Sequence, residues 1–376
     1  MKTSPEPKKI LVFRPGHLGD TLVALPALWS LRFAFPSAEL TLLYNVNNRN
    51  PQYLTPKDVL PASGLIDRWL PYDYYDEQGS FEKLSSRLKL FFQLRRGRFD
   101  TVAYLLQRDR SVRQFDRDRR FFELVGVRYF IGLSGLRSGS FELNPAPARK
   151  RVSSEGEFLL ECLASDGVPK KVPNKDLLLL TDEERNIAAG FRDKFFIDVK
   201  KRRLAAVAPG GKRPSRIWNK ARYVEVIEKL VLENNVFPIF FGSSGERQLG
   251  QEILDAVGNG LNLAGDLGVR ESAAVLELCG FYLGNDTGTM HLAGAVGLRC
   301  VALFSAADRN GQWEPFGSSH IFFRRHVECE GCRIDICDRG NLCLELIEAD
   351  EVYDACVRMI NSEVEIQRGK TREFVR

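Results

Sequence analysis

The sequence predicts an α/β protein of two doubly wound domains. Three observations predict it. Short apolar runs alternate with helical segments, and the alternation occurs twice along the chain. The first run of each set, Ile10–Phe13 and Leu204–Ala208, ends in a glycine-bearing turn, Arg14-Pro15-Gly16 and Pro209-Gly210-Gly211. At 376 residues the chain is also longer than one compact domain usually is.

The elements follow in order. Ile10–Phe13 is fully apolar and reads as a buried strand. Residues 21–35 place Leu22, Leu25, Leu28, Leu31 and Phe35 on one helical face, with Pro26 marking a kink or a late start. Glu39–Tyr44 is the second strand, which completes a strand–helix–strand unit. Phe99–Leu106 and Tyr129–Leu133 are further strands. Asn144–Arg151 is loop, and Glu155–Ser165 is helical. The second set starts after Pro169–Lys175. Thr181-Asp182-Glu183-Glu184 opens a helix to Phe195, because a hydroxyl residue ahead of acids suits a helix start. Strands are expected at Leu204–Ala208, Val236–Phe241, Leu261–Leu263, Phe281–Leu283 and Cys300–Phe304. Helices are expected at Tyr223–Glu233, Glu271–Cys279 and Thr287–Val296. The implied domains are residues 1–178 and 179–350, with a cleft between them. A helix and tail, 351–376, would pack back on the first domain.

Composition narrows the function. A net charge of +5 suits anionic small molecules or an anionic membrane surface and falls short of a nucleic-acid-binding domain. The first residues hold no long apolar stretch, and the apolar stretch 288–307 is interrupted by His291 and Arg299. Neither a signal peptide nor a membrane span is expected. A cytosolic setting would keep the eight cysteines reduced. Cys162, Cys279, Cys300 and Cys356 sit in apolar surroundings and read as core.

Ligands of open α/β sheets bind beyond the carboxyl ends of the strands. Three stretches there carry chemistry. RPGHLGD, residues 14–20, has glycines for a tight turn and Asp20 where a helix begins, but lacks the third glycine of a dinucleotide fingerprint. Asp20 is either a working carboxylate or only a helix cap. PGGKRPSRIW, residues 209–218, offers backbone N–H groups with Lys212, Arg213 and Arg216, as a phosphate loop would. Its plain alternative is a solvated basic turn. LGNDTGTMHLAGAVG, residues 283–297, brings Asp286, Thr287, Gly288 and His291 to one helix start. Free N–H groups there attract anions, whereas Asp286 would repel a phosphate unless it accepts hydrogen bonds.

Taken together, RPGHLGDTLVALPAL, AVAPGGKRPSRIW, NLAGDLGVRESAAVLELC and LGNDTGTMHLAGAVGLRCVALFSAAD resemble glycosyltransferase family 9, the heptosyltransferase-like enzymes of lipopolysaccharide assembly. The resemblance implies a GT-B fold of two Rossmann-like domains facing a central cleft. It implies an inverting transfer of heptose or a related sugar from an ADP-sugar donor to a lipopolysaccharide-core or other glycan acceptor. No cofactor is required for that transfer, and no nucleic acid takes part. By the same resemblance Asp20 is the catalytic base, with Arg14, Gly16, His17 and Gly19 on the acceptor side. Gly210, Gly211, Lys212, Arg216, Asp286, Thr287, Gly288 and His291 hold the donor. Arg216 stands where the family often has lysine, and Ser305-Ala306-Ala307 departs from its usual turn. The enzyme would work in the cytoplasm, peripheral at the inner face of the membrane.

Two features stand apart. Residues 108–120 hold six arginines against three aspartates, which reads either as a face for anionic lipid or a phosphorylated glycolipid, or as a solvated helix with internal ion pairs. Cys329, Cys332, Cys337 and Cys343 are close enough in sequence to close around a structural zinc or iron, or else are plain reduced thiols or facultative disulfides.

Overall fold

The computed structural model describes residues 6–47, 53–60, 64–73, 80–145, 147–174, 176–194, 202–317 and 319–373. It divides into two compact units. The first comprises Met1–Pro147 and Ser153–Leu179, the second Ala148–Val152 and Leu180–Arg376.

In the first unit the order is β1 (Lys9–Phe13), α1 (Leu18–Val23), α2 (Leu25–Ala34), β2 (Glu39–Val46), α3 (Pro56–Val59), β3 (Arg68–Asp73), α4 (Ser80–Gly97), β4 (Thr101–Tyr104), α5 (Val112–Val125), β5 (Tyr129–Ile131), α6 (Leu133–Ser138) and α7 (Glu155–Ser165). The expected helix over 21–35 is two helices that meet at Ala24, with Pro26 in the first turn of α2, where its missing N–H costs nothing. The strands form one sheet of order β3-β2-β1-β4-β5, and every pair is parallel. Ile10, Leu11, Val12, Leu40, Val102 and Ala103 are fully buried, because central strands of a parallel sheet are covered on both faces. The chain enters at the middle strand, builds outwards to β3, then returns to the other side. The reversal lies between β1 and β4.

The second unit continues with α8 (Asp182–Lys194), β6 (Arg203–Ala208), a 3₁₀ turn (Pro214–Arg216), α9 (Lys220–Asn234), β7 (Val236–Phe240), a second 3₁₀ turn (Ser244–Glu246), α10 (Arg247–Val257), β8 (Leu261–Asn262), α11 (Val269–Glu277), β9 (Phe281–Asn285), α12 (Gly288–Ala295), β10 (Cys300–Phe304), β11 (Ile321–Arg324), α13 (Leu342–Glu345) and α14 (Ala349–Glu373). Phe195, the expected end of α8, lies outside the described residues. The sheet order is β11-β10-β9-β6-β7-β8, again parallel throughout, and the reversal lies between β6 and β9. Thr181 caps α8, accepting from Glu184 N–H at 3.2 Å while Glu184 accepts from Thr181 N–H at 2.8 Å.

Ala148–Val152 joins the second unit through Val152 N–H to Asn310 O (2.9 Å), Asn310 N–H to Ala148 O (3.0 Å) and the Arg151–Glu314 ion pair. Helix α14 is likewise part of this unit. Its Val352, Ala355, Cys356, Met359 and Ile360 complete the core around Trp218, Tyr223 and Leu230. Side chains of the tail beyond Ser362 lie outside the described residues. All eight cysteines are free thiols, and Cys162, Cys279, Cys300 and Cys356 are buried. No helix among the described residues is long and apolar enough to cross a membrane.

Candidate active site

Each reversal point gathers the chemistry that the sequence singled out. In the first unit the loops after β1 and β4 emerge side by side, since these strands are hydrogen-bonded neighbours. Gly16 adopts φ 144°, and an added Cβ would fall 2.4 Å from Asp20 Cβ, so the turn needs glycine. Asp20 sits one turn into α1, not at its N-cap, which is His17. Its Oδ2 accepts His17 N–H at 2.7 Å, its Oδ1 accepts the Gln107 amide, and Arg14 Nη2 lies 3.5 Å from Oδ1. The carboxylate is therefore part of the cap network. Its side chain also keeps 12% exposure, so it is not sealed in.

Arg14 is 1% exposed. Its guanidinium donates to Asp20 O (2.8 Å from Nε) and to Leu105 O (2.6 Å from Nη1). Burial lowers its pKa, against the pull of Asp20 and Glu155. Arg14 thus ties the two loops together and positions Asp20. His17 is exposed against the Tyr53 ring at 4.9 Å. Asn45 Oδ1 accepts Gly16 N–H at 2.6 Å, and Tyr53 O–H donates to Gly16 O at 2.9 Å. Beneath the β4 loop, Arg108 and the fully buried Glu155 pair at 3.1 Å, with the guanidinium 3.9 Å above the Phe158 ring. Burial raises the Glu155 carboxyl, while Arg108 and Arg14 oppose it.

In the second unit the loops after β6 and β9 meet. Asn285, at the end of β9, is wholly buried. Its amide donates to Pro209 O (2.7 Å) and Gly210 O (3.0 Å), and its carbonyl accepts Trp218 N–H (3.3 Å) and Tyr223 O–H (3.0 Å). One amide thus fixes both ends of the basic loop. Gly284 is required as well, since a Cβ there would lie 2.5 Å from Ala208 O. Arg216 pairs with Asp286 at 3.0 Å and with Asp308. His291 Nε2 stands 3.9 Å from Asp286 Oδ1. Burial pushes the Asp286 carboxyl up to about 7, Asp308 adds to the rise, and Arg216 and Arg213 oppose it. Thr287 is the N-cap of α12 and Gly288 its first residue, so the free N–H groups open beside Asp286. Lys212 is exposed, Arg213 pairs with Asp335 at 3.0 Å, and Gly211 lies against Thr287. Asp286, Ser305, Asp308, Arg309, Trp313 and Arg324 line a small pocket.

The four clustered cysteines line a small cavity with Ser215 and Ala306. The expected structural zinc or iron is not supported. Among the described residues, no group of three or more His, Cys, Asp or Glu side chains is drawn together as a metal site requires. Two of the sulfurs accept backbone hydrogen bonds. Cys343 Sγ accepts Ala306 N–H at 3.3 Å and Cys337 Sγ accepts Arg339 N–H at 3.4 Å. Burial raises the Cys343 thiol, which favours the protonated form. The cysteine loop braces the Ser305-Ala306-Ala307 turn, donating Gly331 N–H to Ala306 O (2.8 Å) and Arg333 N–H to Ala307 O (3.2 Å). In the arginine-rich stretch, Arg110 and Arg117 pair with Asp118, Arg119 with Glu123, and Asp116 with Arg137, the pattern of a solvated helix.

The sequence profile of glycosyltransferase family 9 (heptosyltransferase) matches residues 136–342, more than half of the chain. The chain belongs to glycosyltransferase family 9. Lipopolysaccharide heptosyltransferase 2 of Salmonella typhimurium is 30% identical over 109 residues, which are 27% of this chain and 31% of that protein. This match and the next two curated relatives span only about a third of those proteins' own length (31%, 38% and 31%). The family 9 glycosyl transferase of Veillonella parvula superposes with a TM-score of 0.70 at 17% identity, covering 94% of this chain and 97% of its own. The E. coli heptosyltransferase WaaC with ADP superposes with a TM-score of 0.64 at 17% identity, covering 93% and 99%. This likeness shows the fold, which is GT-B.

Gln107, Asn45, Tyr53, Asn285 and Asp308 were not among the expected site residues. Gln107 carried one signal, its place just past the apolar strand β4. Asn285 carried the same signal at β9. Asn45 and Tyr53 carried none.

Proposed function

We propose that this family 9 member is an inverting glycosyltransferase that moves heptose or a related sugar from an ADP-sugar to a lipopolysaccharide-core or other glycan acceptor, at the inner face of the cytoplasmic membrane. The first unit holds the acceptor and the second the donor. Asp20 takes the proton from the acceptor hydroxyl as that oxygen bonds to the anomeric carbon and the nucleoside diphosphate leaves. A positioned general base contributes about 10²–10⁴-fold. Arg14 and Gln107 orient Asp20, while Gly16, His17 and Gly19 shape the acceptor side. On the donor side Gly210, Gly211, Lys212, Arg216 and the N–H groups at Thr287 and Gly288 meet the diphosphate. Asp286, largely protonated below pH 7, accepts and donates hydrogen bonds to donor hydroxyls or phosphate oxygen, beside His291.

The observation that supports this reading most is the coincidence of chemistry and topology. Both reversal points of two parallel sheets hold the unusual residues, one an accessible carboxylate, the other an arginine beside a helix start. The relative with ADP in its structure points the donor to an adenine nucleotide.

The test is transfer from ADP-heptose to a lipopolysaccharide-core acceptor by wild type and Asp20→Asn. The amide still accepts His17 N–H, so fold and donor affinity stay near normal while turnover falls about 10²–10⁴-fold. Wild-type turnover in the variant would exclude Asp20 as the base. Calorimetric titration with ADP-, GDP- and UDP-sugars fixes the donor, and donor binding with no transfer or hydrolysis by wild type would reduce the protein to a nucleotide-sugar binder.

A further inference from the structure

Helix α4 presents a face that the sugar-transfer chemistry does not use. Residues 84–98, LSSRLKLFFQLRRGR, hold five basic residues and no acidic one. Leu84, Leu88 and Phe92 follow at intervals of four and therefore form one stripe on the helix. They are 56%, 49% and 55% exposed. Other positions of the same helix face inwards: Leu94 is buried, and the Phe91 ring lies 6.4 Å from that of Phe121 on α5. Leu124 of α5 is 69% exposed, and its carbonyl accepts from Arg95 at 3.5 Å.

The charges around this stripe differ from those of α5. Arg87, Lys89, Arg95 and Arg96 are exposed, and no ion pair among the described residues engages them. On α5 the neighbouring arginines are held by Asp116, Asp118 and Glu123. A helix facing only water has no use for a row of large apolar side chains. An apolar row flanked by cations that no carboxylate among the described residues neutralises is complementary to an anionic bilayer surface. The apolar side chains enter the headgroup region and the cations meet lipid phosphates.

We propose that α4 is a peripheral membrane-docking helix that lies on anionic phospholipid. It supplies the contact surface for the membrane association included in the functional reading, and places that surface on α4 rather than on residues 108–120. Vesicle binding is read without any turnover, so the two readings fail separately.

The experiment is co-sedimentation of the full chain with vesicles of phosphatidylethanolamine and phosphatidylglycerol, and with vesicles of phosphatidylcholine alone. Wild type binds the anionic vesicles at least about tenfold more tightly, since each cation near such a surface contributes about fivefold. Raising salt to about 0.5 M releases it. Arg87→Glu with Arg96→Glu lowers binding by more than about tenfold, and Leu88→Ser with Phe92→Ser also lowers it by about tenfold. These side chains are exposed, and unchanged thermal unfolding confirms that the variants fold. Lys170→Glu with Lys171→Glu makes the same change in net charge elsewhere on the first unit and leaves binding in place. Three results would overturn the proposal. One is no binding by wild type. Another is an equal loss in the Lys170 and Lys171 control, which would make binding a matter of net charge alone. The third is unchanged vesicle binding in the serine variant together with loss of self-association by sedimentation velocity, which would give the face to a second copy of the chain.

Discussion

The two units put their candidate site residues at the same topological point and hold them there by different physics. In the first, buried charge joins the loops. Arg14, 1% exposed, bridges the β1 loop and Leu105, and Arg108 with Glu155 anchors the β4 loop to the start of α7. In the second, a neutral amide joins them. Asn285 satisfies four backbone and side-chain partners without any formal charge. A buried ion pair fixes geometry but is costly to break, because the surviving charge has neither partner nor water. An amide fixes geometry at a smaller cost and leaves nearby carboxyl groups to set the local charge.

The largest effect expected from this contrast is at Glu155. Glu155→Ala leaves the guanidinium of Arg108 buried without its carboxylate and destabilises the first unit by about 3–5 kcal/mol. Chemical denaturation of the full chain measures it. Replacing both partners, Arg108→Met with Glu155→Leu, recovers much of the loss if charge rather than shape is the issue. A loss under about 1 kcal/mol for the single variant would break the comparison, since that is the range of an exposed pair.

Next is Asn285→Ala, expected to cost about 2–3 kcal/mol because Pro209 O, Gly210 O and Trp218 N–H lose a buried partner together. The same variant loosens the basic loop, so ADP affinity falls by about tenfold while Arg216 itself is untouched. Asn285→Asp keeps the acceptor for Trp218 and Tyr223 but loses both donations, and sharpens the result. If it binds ADP as wild type does, the amide's hold on Pro209 and Gly210 is not what orders the loop. Urea denaturation and calorimetry read the two consequences separately.

What the sequence made legible follows the same division. Fully apolar runs ending in glycine marked β1 and β6, because central parallel strands admit nothing polar and the turns beyond them need glycine. Hence the α/β class, the parallel sheets and the neighbourhoods of Asp20 and Asp286 could be read directly. Strand β3, Arg68–Asp73, escaped notice because an edge strand here is half exposed and carries polar residues. The split of the first helix at Ala24 was only half legible, through Pro26. The partners were hidden for a different reason. Gln107 is 87 residues from Asp20, and Asp308 is 92 from Arg216. Only the strand order brings such pairs together, and one sequence does not print strand order. The metal expected at the four cysteines rested on their spacing and on the family resemblance, and neither reveals that the side chains are not drawn together as a metal site requires.

A pH-dependent effect also separates the two units. Asp286 titrates near 7 in the folded chain, because burial disfavours its charged form more than Arg216 and Arg213 favour it, and Asp308 adds repulsion. In the unfolded chain an aspartate titrates near 3.9. Between about pH 4 and pH 7 the folded protein therefore holds the extra proton, so this group's contribution to stability falls as pH rises and is flat above that window. Asp286→Asn removes the slope. Relative to wild type, the variant should gain stability as pH is raised from 4 to 7, by at most about 1.4 kcal/mol per pH unit. ADP binding should follow the same sign. A neutral acid beside the α12 N-terminus tolerates a diphosphate, whereas a carboxylate repels it, so wild-type affinity weakens as pH passes 7 and Asp286→Asn affinity does not. His291 Nε2 stands 3.9 Å from the same carboxyl. A pH dependence that survives in Asp286→Asn would overturn the assignment of the effect to this carboxyl.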